Sequence, residues 1–266
     1  MIKISQKKGF SLLKEKVPEF QSPLKMTGIF AISILIFTGI MVFFWWFDSL
    51  IWYGAIISQL IVGLISSIFI YSYIKKPTEY RKKYGELAYR YFFFHIVILV
   101  LITGNACIFH VLLIAGQELL YWWLAIVLGI ICISMRFILE AHIRRSGFDE
   151  IGHALGVFMV FPEEGYRINS NIYSYIRHPM YTGDFFLALG LALFKNNLYA
   201  IFIALLSFIP YIVALKLEDN ELIKRFGEPH RQYVRQTHAI FPHFKDIGKF
   251  LKLLFTKEKN VNKQLS

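Results

Sequence analysis

Two stretches near the start of the chain, residues 27–47 and 51–74, carry no charged side chain. A helix crossing a bilayer needs about 20 predominantly apolar residues, because lipid offers no partner for a backbone N–H or C=O. Each stretch meets that length, and the linker between them is too short for anything but an antiparallel turn. Residues 91–116 and 119–139 repeat the arrangement, with His95, Asn105 and His110 inside the first and Arg136 in the last turns of the second. The pattern predicts four spans paired as two hairpins.

Composition agrees. Of 266 residues, 56% are hydrophobic and only 18% are charged, a balance outside the range of a soluble domain of this length. The formal net charge of +11 would point to nucleic acid in a soluble protein. Here the cations sit in tails and loops, which argues for the positive-inside rule and attraction to anionic lipid, and against a nucleic-acid partner. Lys3, Lys7, Lys8, Lys14, Lys16 and Lys25 precede the first span, and Lys75, Lys76, Arg81, Lys82, Lys83 and Arg90 surround the second-to-third loop. Arg144 and Arg145 follow the fourth span, whereas the opposite loops offer only Asp48, Gln117 and Glu118. Both termini and the polar stretch at residues 140–176 are therefore expected on the cytoplasmic side. The first 26 residues lack a short apolar core and a small-residue cleavage site, so residues 27–47 read as a span rather than a signal peptide.

Two more apolar helices, residues 180–194 and 198–215, flank a turn at Lys195, Asn196 and Asn197. The first is short for a full span, and Pro210 is expected to kink the second. The reading is an all-α polytopic membrane protein of about six helices. It divides into an arm (1–26), a four-span bundle (27–145), a cytoplasm-facing region with a membrane hairpin (146–244) and a basic amphipathic tail (245–266). In that tail Ile247, Phe250, Leu251 and Leu254 share a helical face beside Lys249, Lys252 and Lys257, as in a helix lying on a membrane surface.

Two polar clusters fall at the same end of the C-terminal hairpin. Arg177 and His178 precede Pro179, which suits a first helical turn. A helix N-terminus with an adjacent arginine suits an anion, although spacing alone equally allows an Arg-His pair held by lipid headgroups. Glu218 and Asp219 end the second helix, with Leu222 one turn beyond. They suit a cation, a ribose hydroxyl or Arg177, and equally a solvated helix end. Glu221 with Arg225, and Arg136 with Glu140, have the i, i+4 spacing of structural pairs, the second as a snorkelling pair. Cys107 and Cys132 lie in apolar runs as packing residues, and the scattered histidines form no metal-binding motif. No metal is expected, and no dinucleotide-binding glycine motif occurs.

Arg177, His178, Pro179, Tyr181 and Gly183, then Asn196, then Glu218, Asp219, Leu222, Phe226 and Gly227 form a series that resembles the isoprenylcysteine carboxyl methyltransferase and phospholipid methyltransferase group. Tyr173, Tyr233 and Pro242 continue the spacing, so the resemblance covers about residues 170–244. Asp219 stands where a second Glu is usual, Asn171 and Ile172 where Gly-Pro is common, and His230 where an aromatic is common. The resemblance implies S-adenosylmethionine held by Tyr173, His178, Pro179, Met180, Tyr181, Gly183, Glu218 and Leu222. Arg177, Glu218 and Asp219 would be the catalytic set. It also implies a lipophilic acceptor arriving sideways from the bilayer, foremost an isoprenylcysteine-type carboxylate, with a phospholipid amine or small thiol as alternatives. Tyr173, Tyr175 and Tyr181 would wall the sulfonium. An NADPH-dependent sterol-type reductase and a non-enzymatic membrane protein are the competing readings.

Overall fold

The computed structural model describes residues 9–256, and among them there is no strand, only an isolated parallel bridge between Ile176 and His238. The helices are α1 (Phe10–Lys16), α2 (Pro23–Leu50), α3 (Gly54–Lys75), α4 (Pro77–Leu113), α5 (Trp122–Arg145), α6 (Pro179–Lys195), α7 (Leu198–Leu206), α8 (Ile209–Phe226), α9 (Glu228–Gln236) and α10 (Ile247–Phe255). Five stretches are long and apolar enough to cross a membrane: α2, α3, α4, α5 and the α7–α8 unit. With α6, of 17 residues, they form the expected six-membered all-α bundle. Lys3, Lys7, Lys8 and Lys257 lie outside the described residues.

Local chemistry sets the boundaries. Ser22 Oγ accepts from the Lys25 N–H and Pro23 occupies the first turn of α2. Pro210 has no N–H and its ring excludes the carbonyl four residues earlier, on Leu206. The helix breaks there, at Ser207 and Phe208, and restarts as α8, a sharper interruption than a kink. Asn196 takes the left-handed conformation (φ 50°) that ends α6, and Asn197 Oδ1 caps α7 at 2.7 Å from Ala200 N. Asn196 also exchanges bonds with Leu119 and Leu120, tying the hairpin tip to the start of α5.

The protein's five tryptophans, Trp45, Trp46, Trp52, Trp122 and Trp123, are all exposed at that same end, as an interfacial aromatic girdle would be. The opposite end is gathered by charge: Arg81 holds Glu163 at 2.6 Å, Lys16 holds Glu164 at 3.1 Å, and Tyr73 Oη donates to the Ala154 carbonyl at 3.0 Å. The N-terminal segment is more than a solvated arm. Leu12, Leu13, Val17 and Phe20 are buried against Tyr89, Phe92 and Val157. The C-terminal helix α10 also packs on protein. Phe250 and Leu254 bury against Leu139, Ile143 and Ile176, while Leu251 and Phe255 stay exposed.

The short α6 buries Thr182, Gly183, Ala188, Gly190 and Ala192 and lies along α5. The approach is close because both helices present glycine. A Cβ on Gly190 would stand 2.7 Å from Ile133 Cγ1 and 3.0 Å from the Gly129 carbonyl, and one on Gly129 would stand 2.5 Å from the Phe194 ring. Small residues let membrane helices gain van der Waals contact where no hydrophobic drive exists between them. Gly190→Leu is therefore expected to destabilise the protein by about 1–3 kcal/mol, read as a lower melting temperature in detergent. Gly39→Leu, whose Cβ meets nothing within 4 Å, should leave it unchanged.

Candidate functional site

The start of α6 is held from behind. The N–H groups of Arg177 and His178 donate to the His238 and Ala239 carbonyls, each at 2.9 Å, and Thr182 Oγ1 donates to the Ile240 carbonyl at 2.7 Å. The segment after α9 thus fixes the residues leading into the helix.

In front, the two polar clusters meet. Arg177 is bidentate on Asp219, with Nη2 at 2.7 Å from Oδ2 and Nε at 3.3 Å from Oδ1. Its Nη1 donates to the carbonyls of Val234 (3.0 Å) and Thr237. The donors of Arg177 are thereby spent on protein, and it staples α6, α8 and the C-terminal end of α9 together. His178 bridges the two carboxylates, Nε2 to Asp219 at 3.0 Å and Nδ1 to Glu218 at 3.4 Å. Burial by itself would lower the His178 pKa, but its hydrogen bonds to Asp219 and Glu218 outweigh that and hold it at about 9. An imidazolium donating from both nitrogens results.

Glu218 differs from Asp219. Its Oε2 accepts from Tyr181 Oη at 2.9 Å and from His178, while Oε1 accepts no hydrogen bond from the described residues. The Glu218 side chain is 35% exposed, against 13% for Asp219. Both face a cavity of about 420 Å³ that runs between α3, α4, α6 and α8. His178, Pro179, Met180 and Tyr181 line it from the start of α6. Asp219 and Leu222 join Glu218 from α8, and Tyr173 and Arg177 complete the polar end. Tyr181 stacks on His178 at 5.5 Å and meets Tyr211 edge to face, so its ring is held rigidly.

Two of the residues expected to hold or wall the cofactor lie off the cavity. Gly183 faces α5, where a Cβ would meet Arg136 Cδ at 2.7 Å, and Tyr175 packs on Phe250. Arg225 reaches the Phe158 carbonyl at 3.0 Å and makes no ion pair with Glu221 among the described residues. Arg136 does pair with Glu140, at 2.6 Å, but instead of snorkelling outward it also crosses to Asp184 at 3.3 Å and lines the cavity.

Asp184 escaped the sequence reading, although a carboxylate inside an apolar run is itself a signal of a site. His153, stacked on Phe148 at 4.8 Å and edge-on to Phe158 at 4.7 Å, also lines the cavity. Its burial pushes its pKa down, so it stands neutral there. No sequence motif marks it, because it arrives from the polar stretch by tertiary folding.

The cavity, its carboxylates and its aromatic walls occupy one continuous part of the chain, and that part has a known counterpart. Residues 124–229 match the phospholipid methyltransferase family model. The match bears out the resemblance read from the sequence and extends it upstream to α5, which contributes Arg136 to the cavity. It supports a membrane methyltransferase. No curated protein and no solved structure matches the chain.

The raised pKa of His178 makes a prediction with a definite sign. A histidine near 6.5 unfolded and about 9 folded adds stability that is fully present below pH 6.5 and is lost as pH rises through about 9. Thermal unfolding of the wild type and of His178→Gln across pH 6 to 10 should therefore differ most at low pH and converge above about 9.

Proposed function

We propose that this protein is an integral-membrane methyltransferase that uses S-adenosylmethionine and acts on a lipophilic acceptor. The observation that carries the reading is the contrast within the carboxylate pair. Asp219 is consumed by Arg177 and His178, whereas Glu218 keeps one oxygen open in a cavity walled by aromatic rings. These features fit the cofactor. An open carboxylate oxygen takes the amino group or ribose hydroxyls, and the faces of Tyr173 and Tyr181 suit a sulfonium. Pro179, Met180 and Leu222 supply apolar wall. When bound, S-adenosylmethionine supplies an electrophilic methyl group on a positively charged sulfur.

The chain's own work is binding, orientation and exclusion of water. Arg177 and Asp219 act as positioning residues: each fills the other's bonding capacity and fixes the α6–α8 angle. His178, protonated, keeps Glu218 and Asp219 side by side as carboxylates. Gly183 makes room for the Arg136 stem. A carboxylate acceptor such as an isoprenylcysteine needs no base, while a phospholipid amine must first lose a proton. The charge pattern of the loops supports a cytoplasmic position for the site and both termini. Leu101, Gly104 and Ile108 of α4 line the cavity beside Asn105, and the 42% exposure of Leu101 suits an acyl or prenyl chain arriving from lipid.

Calorimetric titration of the detergent-purified protein tests the reading. S-adenosylhomocysteine is expected to bind saturably, and Glu218→Gln to weaken it about 10- to 100-fold, the worth of a hydrogen bond to a charged group. Binding of NADPH in its place would favour the reductase. Unchanged binding in Glu218→Gln would remove the role given to that residue.

A further inference from the structure

The face that α10 leaves uncovered has no part in these roles. Phe250 and Leu254 are buried on Leu139, Ile143 and Ile176. Beside them Ile247, Leu251 and Phe255, at i, i+4 and i+8, form a second apolar stripe that is 37%, 44% and 72% exposed. Phe244, 91% exposed, and Phe241, 49% exposed, extend that stripe back towards α9. A contiguous apolar patch of this kind needs something to cover it. The charges around it say what. At 100° per residue, Lys249 and Lys252 fall on the side of α10 opposite Phe250 and Leu254, with the stripe in between. Around the helix the order is protein, apolar stripe, lysines.

Two sets of contacts fix the depth of this face. Phe241 meets Phe185 and Phe186 edge to face at 5.8 and 6.5 Å, which lie about 10 Å along α6 from its start. Phe185 in turn packs on Phe208 within the membrane-length α7–α8 unit. The helix itself lies against the last turns of α5, where His142 Nε2 donates to the Leu254 carbonyl at 3.2 Å. The stripe therefore stands at the border of the bilayer. Lys249 has only a distant partner, Asp246 at 3.7 Å, and Lys245 and Lys252 make no ion pair with the described residues.

We propose that α10 and the segment before it anchor the site to the surface of an anionic bilayer. Phe241, Phe244, Ile247, Leu251 and Phe255 enter the acyl boundary, and Lys245, Lys249 and Lys252 take lipid phosphates. The anchor also braces the site. Phe250 packs on Tyr175 at 5.9 Å, two residues before Arg177, and shares its apolar cluster with Tyr173, which lines the cavity. A bilayer that holds α10 thereby holds the chain leading into α6. The anchoring rests on this surface alone, and only the bracing rests on the methyltransferase reading.

The test uses the full-length protein in nanodiscs of phosphatidylcholine alone or with about one-third phosphatidylglycerol. An environment-sensitive dye is attached at Leu251→Cys, and in a second preparation at Phe255→Cys, with Cys107 and Cys132 replaced by alanine. Brominated lipid is expected to quench the dye, and more strongly in the anionic discs. The triple variant Lys245→Gln, Lys249→Gln, Lys252→Gln should lose the anionic increment, as should the wild type in high salt. S-adenosylhomocysteine should bind the wild type about fivefold tighter in the anionic discs, the worth of one lysine near such a surface. The triple variant should lose that difference yet stay within about twofold in phosphatidylcholine, which also shows that it is folded. The anchor is overturned if lipid does not quench the dye, if quenching ignores phosphatidylglycerol, or if the triple variant keeps the increment. Burial of the dye that depends on protein concentration, without lipid quenching, would assign the face to a second copy instead. Equal cofactor-product affinity in both discs would remove the bracing. Anionic quenching with no affinity for S-adenosylhomocysteine in either disc would keep the anchor and remove the methyltransferase reading.

Discussion

A guanidinium and a carboxylate taken out of water at the head of a membrane hairpin have to satisfy each other, and the Arg177–Asp219 pair does so. Its two side chains are 11% and 13% exposed and meet in a bidentate contact of 2.7 and 3.3 Å. Such a pair contributes little net stability against well-packed apolar groups, yet losing one partner leaves an uncompensated charge that costs about 3–5 kcal/mol. Its value lies in geometry. It fixes α6 against α8, and through the carbonyls of Val234 and Thr237 it fixes both against the C-terminal end of α9. His178, one residue after Arg177, and Glu218, one residue before Asp219, are aimed by that lock.

The lock explains an asymmetry within two adjacent carboxylates. Asp219 accepts from Arg177 and His178 and has little capacity left, while Glu218 accepts through one oxygen and offers the other to the cavity. The shorter Asp, where a second Glu is usual in the family it resembles, suits the closed role. The longer Glu218 suits the open one. Tyr181 completes the arrangement by donating to Glu218 while its ring is stacked on His178. Arg177, His178, Tyr181, Glu218 and Asp219 therefore each have a partner or face the cavity, which is how a membrane protein keeps charge at depth.

The second lock, Arg136 with Asp184, uses the same physics with a different outcome. It is supported by a glycine, Gly183, whose missing side chain lets the arginine stem cross to α6. It remains open on the cavity side. Arg177 and Asp184 lie seven residues apart, about two turns along the chain, and both charge pairs line the same cavity.

Composition and local pattern alone set the solvent and the scaffold. Uncharged runs of bilayer length can be satisfied only as helices, Pro210 and Asn196 had to interrupt them, and loop lysines gave the runs an expected orientation. They also made the Arg177–Tyr181 and Glu218–Leu222 clusters visible, because polar residues at fixed offsets beside apolar helices stand out. Tertiary structure decided the rest. Arg136 and Glu140 look like a snorkelling pair on one helix, and only the approach of α6 brings Asp184 to them. Leu12, Phe20 and Phe250 lie in basic segments whose charge suggests the surface, but their apolar faces found protein to bury against. His153 reached the cavity from a stretch with no periodicity to read. Local patterns fix which residues must leave water or lipid, whereas contacts between helices distant in sequence depend on shape and on paired charge, which no single window of sequence contains.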